Sequence, residues 1–129
     1  RGSGGVDHLG DALDAVARGN TGAYPYAAGL RWRVDMGHAR GERAAALEVR
    51  DEEAGWKPLD DDARYRVATH DYLADGRDGY ATLGKIPDER REDLRFAYAE
   101  VFADYARRLG TLNRPPTGAF STQAFRAAD

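Results

Sequence analysis

One stretch of the sequence, residues 65–80, carries side chains that could bind a small polar ligand. Tyr72 offers an aromatic face, and Asp78, bracketed by Gly76 and Gly79, offers an ionised acceptor. An aromatic face can stack on a planar base, and a carboxylate can accept hydrogen bonds from vicinal hydroxyl groups. Each residue also has an ordinary structural interpretation, because an aromatic residue after a strand often packs in a core and Asp-Gly is common in turns. The residues alone leave both interpretations open.

A helix and several short strands must position this stretch. Leu9, Leu13 and Val16 fall on one face of a helix predicted over residues 6–18. Alternating apolar residues predict strands over residues 30–35, 45–50 and 65–70, and residues 56–59 lead into the last of these. Because the turns between them are short, neighbouring strands are expected to pair antiparallel.

A second, longer helix is predicted over residues 87–109. Pro87 suits a first helical turn, an apolar stripe follows at helical spacing, and Gly110 suits the end. Such a helix would be about 35 Å long. Residues 117–125 could add a short edge strand. The predicted fold class is therefore α+β: a small, mostly antiparallel sheet with a long C-terminal helix and a shorter N-terminal helix packed on it.

Composition narrows the classes of function. The chain has 129 residues, which suits one domain with its own core, and a net charge of −3, which argues against nucleic-acid binding. It has no cysteine, and its three histidines show no metal-ligand spacing. No apolar run reaches membrane-spanning length. Residues 1–5 are interpreted as a flexible linker or processing scar, and residues 6–129 as the domain.

The glycine-bracketed stretch resembles the closing motif of the C-terminal domain of the 5′-nucleotidases, roughly Y-R-V-A-T-N-[DN]-F-L-A-x-G-G-D-G-[YF]. Upstream, residues 22–30 are similar to the family's G-x-[FY]-x-x-x-x-G segment, and Pro58-Leu59-Asp60 resembles its P-L-D-P. Several motifs in family order make the resemblance specific. It covers about the first two-thirds of the chain.

The resemblance implies four substrate-binding residues. Tyr72 would stack on the nucleobase, and Asp78 would hydrogen-bond the ribose hydroxyls. Asp71 stands where the family has asparagine or a similar polar residue, and Gly22 opens the upstream matching segment. Arg77 departs from the family, which has a glycine there, and it would redirect the loop if that position requires a positive φ. Tyr80 is predicted to pack in the core.

The resemblance also implies that the domain is N-terminally truncated. Family domains begin with further strands, which carry a second stacking aromatic residue and the arginines that hold the phosphate. None of these can be assigned here, although Tyr24 and Tyr26 are candidates to replace the aromatic residue.

Recognition of a nucleotide or nucleoside is the function that the resemblance implies. In this family a dinuclear divalent metal centre and the catalytic residues belong to an N-terminal metallophosphoesterase domain, which would be the protein partner. No catalytic residue, metal ligand or cofactor is assigned within this chain. The family further implies a periplasmic or extracellular location. Two alternatives stay open: a stand-alone nucleoside or nucleotide-sugar binding module without hydrolysis, and a structural docking domain.

Overall fold

The computed structural model describes residues 7–129, so the predicted linker over residues 1–5 and the first predicted helical residue, Val6, lie outside the described residues. Within that range a four-stranded sheet has the order β3-β2-β1-β4. The strands are β1 (Leu30–Asp35), β2 (Ala44–Asp51), β3 (Gly55–Pro58) and β4 (Thr122–Arg126). The α-helices are α1 (Asp7–Ala17), α2 (Asp71–Ala74), α3 (Ala81–Gly84) and α4 (Tyr98–Leu109). The predicted α+β class is confirmed.

The sheet is mostly antiparallel, as predicted, and β1 lies near its centre. β1 pairs antiparallel with β2 and parallel with β4, and β2 pairs antiparallel with β3. Arg31 lies opposite Glu48 but Arg33 lies opposite Ala45, so β2 carries an extra residue across from Trp32. Ala46 takes a φ of 52° in this bulge, a left-handed conformation found in some bulged residues. The edge strand expected in residues 117–125 is present as β4.

Helix α1 joins the sheet to the segment that carries the candidate site. Leu9 and Leu13 pack against Trp32 and Val34 of β1, and all four side chains are buried. On an adjacent face of α1, two alanines join a second buried cluster, whose members are Ala12, Ala15, Ala23, Tyr80 and Leu83. The predicted packing of the N-terminal helix on the sheet and the predicted burial of Tyr80 are both confirmed.

The predicted strand over residues 65–70 is wrong. This segment lies between β3 and β4 in sequence but pairs with no strand of the sheet, and Tyr65 and Val67 are exposed. Alternating side chains form a strand only where a partner supplies backbone hydrogen bonds. No strand described between residues 7 and 129 takes that place.

The predicted helix over residues 87–109 is also too long. Pro87 precedes a 3₁₀ turn, Asp88–Arg90, and the α-helix itself begins only at Tyr98. Arg95, which lies between them, has a φ of 55° that no right-handed helix accommodates. Asp93 stabilises this bend, since its side chain accepts a hydrogen bond from the Arg95 backbone N–H at 2.8 Å.

The apolar stripe of α4 was predicted to pack on the sheet, and this prediction is wrong. No residue of α4 is buried, and the large side chains of the stripe are each more than half exposed. They are Tyr98, Val101, Phe102, Tyr105 and Leu109. The helix therefore presents a largely exposed apolar face. Among the residues that the structure describes, Tyr98 of this face does contact a ring, that of His70, with 5.8 Å between centroids.

Candidate functional site

A tight turn after α2 holds Tyr72 and Asp78 in the same loop. Tyr72 is the second residue of α2, and its carbonyl oxygen accepts a hydrogen bond from the Arg77 backbone N–H at 3.2 Å. Gly76 and Gly79 have positive φ angles of 80° and 89°, and Asp78 has a φ of 57°. Arg77 lies outside the left-handed region, so the expected strain falls on Asp78, a residue type that tolerates it.

The turn rests directly on α1. A Cβ atom at Gly79 would lie 2.8 Å from the Cβ of Ala15, closer than real side chains approach. Thr82, at the start of α3, donates its backbone N–H to the Asp11 side chain at 2.7 Å. Because the turn approaches the helix so closely, only glycine fits between Asp78 and Tyr80.

Tyr80 anchors the end of the turn in the core. Its hydroxyl donates a hydrogen bond to the Ala23 carbonyl oxygen at 2.9 Å. Burial of the phenol, aided by the negative charge of Asp78, raises the pKa of Tyr80 to about 12. The side chain therefore stays neutral at physiological pH.

The carboxylate of Asp78 is only partly buried, and it is oriented by a residue from a distant part of the sequence. Its Oδ1 accepts a hydrogen bond from Nδ2 of Asn20 at 2.7 Å. Gly22 lies beside this pair, since a Cβ atom there would be 3.5 Å from the Asn20 side-chain oxygen. The structure thus brings Gly22 close to Asn20, the hydrogen-bond partner of Asp78. Asn20 itself was missed, because no local pattern predicts a contact between residues 58 positions apart.

Tyr72 is 51% exposed and is not a core residue. Its ring is stacked on that of His70, with 6.3 Å between centroids. On the same loop, Cζ of Arg77 lies 5.8 Å from the Tyr72 centroid. Asp71 is exposed, and its carboxylate accepts a hydrogen bond from the Tyr72 backbone N–H at 2.9 Å. Asp71 therefore helps to fix the start of α2, where a negative charge is favourable.

The two candidates for a replacement stacking residue pack against each other and not against Tyr72. Tyr24 is half-buried, and its hydroxyl forms a 2.6 Å hydrogen bond with Oγ1 of Thr122 on β4. Tyr26 packs its ring against Tyr24, with 5.1 Å between centroids, and is largely exposed. Across residues 7–129 no aromatic contact joins either ring to Tyr72. A role for them in base stacking stays a prediction.

An ion cluster centred on the buried Asp14 of α1 has a structural role. Asp14 is buried, and its carboxylate binds Arg18 at 2.9 Å, Arg40 at 3.0 Å and Arg43. Burial alone would raise the pKa of Asp14, but the hydrogen bonds from Arg43 and Arg18 outweigh it and hold the pKa below its usual value. This cluster ties α1 to the loop before β2.

The described part of the chain contains no group of three or more His, Cys, Asp or Glu side chains arranged to hold a metal ion. Among those same residues, no helix has the length and apolar character needed to cross a membrane.

Fold and loop together define an α+β domain that presents an aromatic ring and an oriented carboxylate on one turn. Comparison with known proteins assigns the chain to a family with this fold. The family described as 5′-nucleotidase, C-terminal domain, matches residues 7–85, which is more than half of the chain. The chain belongs to this family.

Relatives share both sequence and fold. A protein of Treponema pallidum named as a probable 5′-nucleotidase is 40% identical over 100 residues, and the NAD 5′-nucleotidase of Haemophilus influenzae is 38% identical over 106. These alignments cover 75% and 78% of this chain but only 17% and 18% of the relatives. The chain therefore spans less than a fifth of their length.

Two solved structures superpose on nearly the whole chain. The Haemophilus influenzae NAD nucleotidase has a TM-score of 0.85 at 30% identity, with 99% of this chain and 23% of that one covered. A 5′-nucleotidase precursor from Thermus thermophilus has a TM-score of 0.83 at 27% identity, with 98% of this chain and 24% of that one covered.

Proposed function

We propose that this domain recognises the nucleoside part of a nucleotide for a 5′-nucleotidase-type phosphohydrolase. The observation that carries the proposal is the turn over residues 72–78, which exposes Tyr72 and orients Asp78 at the positions that resemble the family's base- and ribose-binding residues. The tyrosine ring would stack on the base. The carboxylate, with one oxygen held by Asn20, would accept hydrogen bonds from the ribose hydroxyls.

The remaining candidate residues have supporting roles in this proposal. Asp71 holds the backbone of Tyr72 and so fixes the direction of the ring. Gly22, which has no side chain of its own, leaves space beside Asn20 and Asp78 for the sugar. Neither residue needs to contact the reacting phosphate.

Hydrolysis would be performed elsewhere in a longer protein, by an N-terminal metallophosphoesterase domain whose two divalent metal ions activate the attacking water. The much greater length of the relatives supports this division of labour. A periplasmic or extracellular location is part of the same proposal and rests on the family resemblance.

Binding by this domain alone is expected to be weak. One base–aromatic stack contributes about 1–3 kcal/mol, and hydrogen bonds to a charged acceptor contribute about 1.5–3 kcal/mol. Association itself costs about 4 kcal/mol or more. Together the two contributions barely offset that cost, so a dissociation constant on the order of 1 mM is the tightest that we expect.

A matched pair of ligands tests the two roles separately. Adenosine and 2′,3′-dideoxyadenosine are titrated against the native chain, Tyr72→Ala and Asp78→Ala, while backbone amide shifts are followed by NMR. Tyr72→Ala should weaken both ligands, whereas Asp78→Ala should weaken only adenosine. Tyr105→Ala, which removes a similarly exposed aromatic ring from α4, is the control and should change neither. Equal weakening of both ligands by Asp78→Ala would contradict the ribose role.

A second measurement concerns catalysis. The chain by itself, supplied with Mg²⁺, Mn²⁺ or Zn²⁺, is expected to release no phosphate from AMP, because residues 7–129 offer no cluster of metal ligands. Steady phosphate release that a chelator abolishes would show that this division of labour is wrong.

A further inference from the structure

We propose that Asn20 is a positioning residue for the nucleoside site. It holds the carboxylate of Asp78 in the orientation that lets the site distinguish ligands with ribose hydroxyls from ligands without them. This inference rests on the proposed function and assigns the selectivity for the sugar to two residues. Asn20 lies in the loop after α1 and Asp78 lies in the turn after α2, so the pair exists only in the folded domain.

The two oxygens of the Asp78 carboxylate are in different environments. Oδ1 accepts a hydrogen bond from Nδ2 of Asn20 at 2.7 Å, whereas Oδ2 accepts none from any residue between 7 and 129. Over the same range, Asp78 takes part in no ion pair. Because an asparagine amide is neutral, it orients the carboxylate without cancelling its charge. Oδ2 therefore keeps the acceptor strength of an ionised group and is available to a hydroxyl.

The backbone of Asn20 is fixed by the end of α1. Gly19 has a φ of 99°, and its N–H donates to the Val16 carbonyl at 2.9 Å. The Asn20 N–H donates to the Ala15 carbonyl at 3.0 Å. These two hydrogen bonds around a left-handed glycine form a Schellman motif, which closes the helix. The amide of Asn20 therefore extends from a rigid helix end and not from a loose loop.

The turn is held against α1 and its loop by contacts that do not involve the Asn20 side chain. The Tyr80 hydroxyl donates to the Ala23 carbonyl at 2.9 Å, and the Thr82 N–H donates to the Asp11 carboxylate at 2.7 Å. The Asn20 side chain itself is exposed. Its loss should therefore free the carboxylate to rotate without releasing the turn, which separates a positioning role from a structural one.

A held carboxylate binds better than a rotating one, because a side chain that is immobilised only on binding adds an entropic cost. This benefit applies only to a ligand that uses the carboxylate. Adenosine carries the two hydroxyls and 2′,3′-dideoxyadenosine lacks them. Loss of the Asn20 amide should therefore weaken adenosine and leave the dideoxy ligand unchanged.

A double-mutant cycle tests whether Asn20 acts through Asp78. Both ligands are titrated against the native chain, Asn20→Ala, Asp78→Ala and the double variant, and amide shifts are followed by NMR. Asn20→Ala should raise the dissociation constant of adenosine about three- to tenfold. In the Asp78→Ala background the same change should cost nothing further. Asn113→Ala, which removes an exposed amide between α4 and β4, is the control and should change neither ligand.

Asn20→Asp keeps the shape of the side chain but replaces the donor with a second carboxylate. Two carboxylates at this distance repel each other when both are ionised, so adenosine should bind more weakly than to the native chain at about pH 7.5. At about pH 4.5 the pair can share a proton that donates in place of the amide, and part of the affinity should return. Each value is compared with the native chain at the same pH, which accounts for titration of His70 beside Tyr72.

Four results would overturn the inference. Equal weakening of both ligands by Asn20→Ala, with a lower urea midpoint, would show that Asn20 holds the turn and not the carboxylate. A full effect of Asn20→Ala in the Asp78→Ala background would show that it acts independently of Asp78. No effect of Asn20→Ala, while Asp78→Ala still weakens adenosine selectively, would reject the positioning role but leave the proposed function intact. Absence of any adenosine-induced shift in the native chain would reject both.

Discussion

Replacing Gly79 with alanine is expected to destabilise the domain and to disorganise the candidate site together. Gly79 has a φ of 89°, and its Cα faces α1 so closely that an added Cβ would lie 2.8 Å from the Cβ of Ala15. Tyr80, which follows Gly79, is buried beneath the turn. Asp78, which precedes Gly79, is the residue that we propose binds the ribose. The turn therefore cannot move away from α1 without displacing both.

The expected loss of stability has two separable parts. The left-handed conformation costs an alanine roughly 1–2 kcal/mol relative to glycine. Forcing two methyl groups from 2.8 Å to an ordinary separation adds roughly 1–3 kcal/mol of overpacking. Gly79→Ala should thus lower the free energy of unfolding by about 2–5 kcal/mol, a large fraction of the stability of a small domain.

Gly55→Ala provides the matched control, because Gly55 also has a positive φ, of 74°, but a Cβ there meets nothing within 4 Å. It should show the conformational part alone. The assay is urea unfolding followed by tryptophan fluorescence, since Trp32 is fully buried. Ala15→Gly tests the contact directly, because it removes the Cβ that an added Cβ at residue 79 would meet. Gly79→Ala should therefore cost less stability in the Ala15→Gly background than in the native chain.

Equal losses in Gly79→Ala and Gly55→Ala, with no recovery in the double variant, would refute the reasoning. That outcome would mean that the turn does not rest on α1 as closely as the structure shows. If adenosine causes the same amide shifts in Gly79→Ala as in the native chain, the position of Asp78 does not depend on how the turn packs against α1.

Three further outcomes follow from the burial and charge of single residues. Because hydrogen bonds from Arg43 and Arg18 hold the pKa of Asp14 below its unfolded value, its stabilising effect is present above about pH 4 and is lost as the pH falls through the folded pKa. Acid titration of unfolding should therefore be flatter for Asp14→Ala. This variant should also be less stable by roughly 1–3 kcal/mol at neutral pH, because only Arg43 of the three partners is largely buried and would be left unpaired. The pKa of Tyr80 is raised to about 12, so the native chain should lose stability as the pH rises from about 10 to 12. Tyr80→Phe should reduce that dependence when both are unfolded by urea at each pH, and Tyr24, whose pKa is also raised by burial, should retain part of it. Phe102→Ala on the exposed stripe of α4 should change the unfolding free energy by less than about 0.5 kcal/mol, whereas Leu13→Ala in the core should cost about 2–5 kcal/mol in the same assay.

The local pattern of apolar residues was sufficient to predict an element whose own residues define its buried face. The bounds of β1 were predicted as they are observed, because alternation places Trp32 and Val34 on one face and a bulged partner strand lies next along the chain. The face of α1 that carries Leu9 and Leu13 was likewise readable, since its period of apolar residues matches the helical repeat. Tyr80 was correctly assigned to the core.

Two elements could not be read from their own residues. Residues 65–70 alternate like a strand, but a strand exists only when a neighbour pairs with it. Residues 87–97 favour a helix by composition, yet the positive φ of Arg95 and the hydrogen bond from its N–H to Asp93 interrupt it. The intrinsic preference of a residue for helix or strand contributes less than about 1 kcal/mol. Strand pairing and side-chain hydrogen bonds therefore decide which secondary structure forms.

The sequence alone determined which side chains the candidate site offers, because Tyr72 and Asp78 stand in a recognisable motif. Their surroundings were decided only by the tertiary structure. Asn20 reaches Asp78 across 58 residues, and the guanidinium of Arg77 comes to lie over the Tyr72 ring. The contact of Asn20 with Asp78 depends on how the end of α1 packs against the turn, and packing is a property of the whole chain that no local pattern of residues contains.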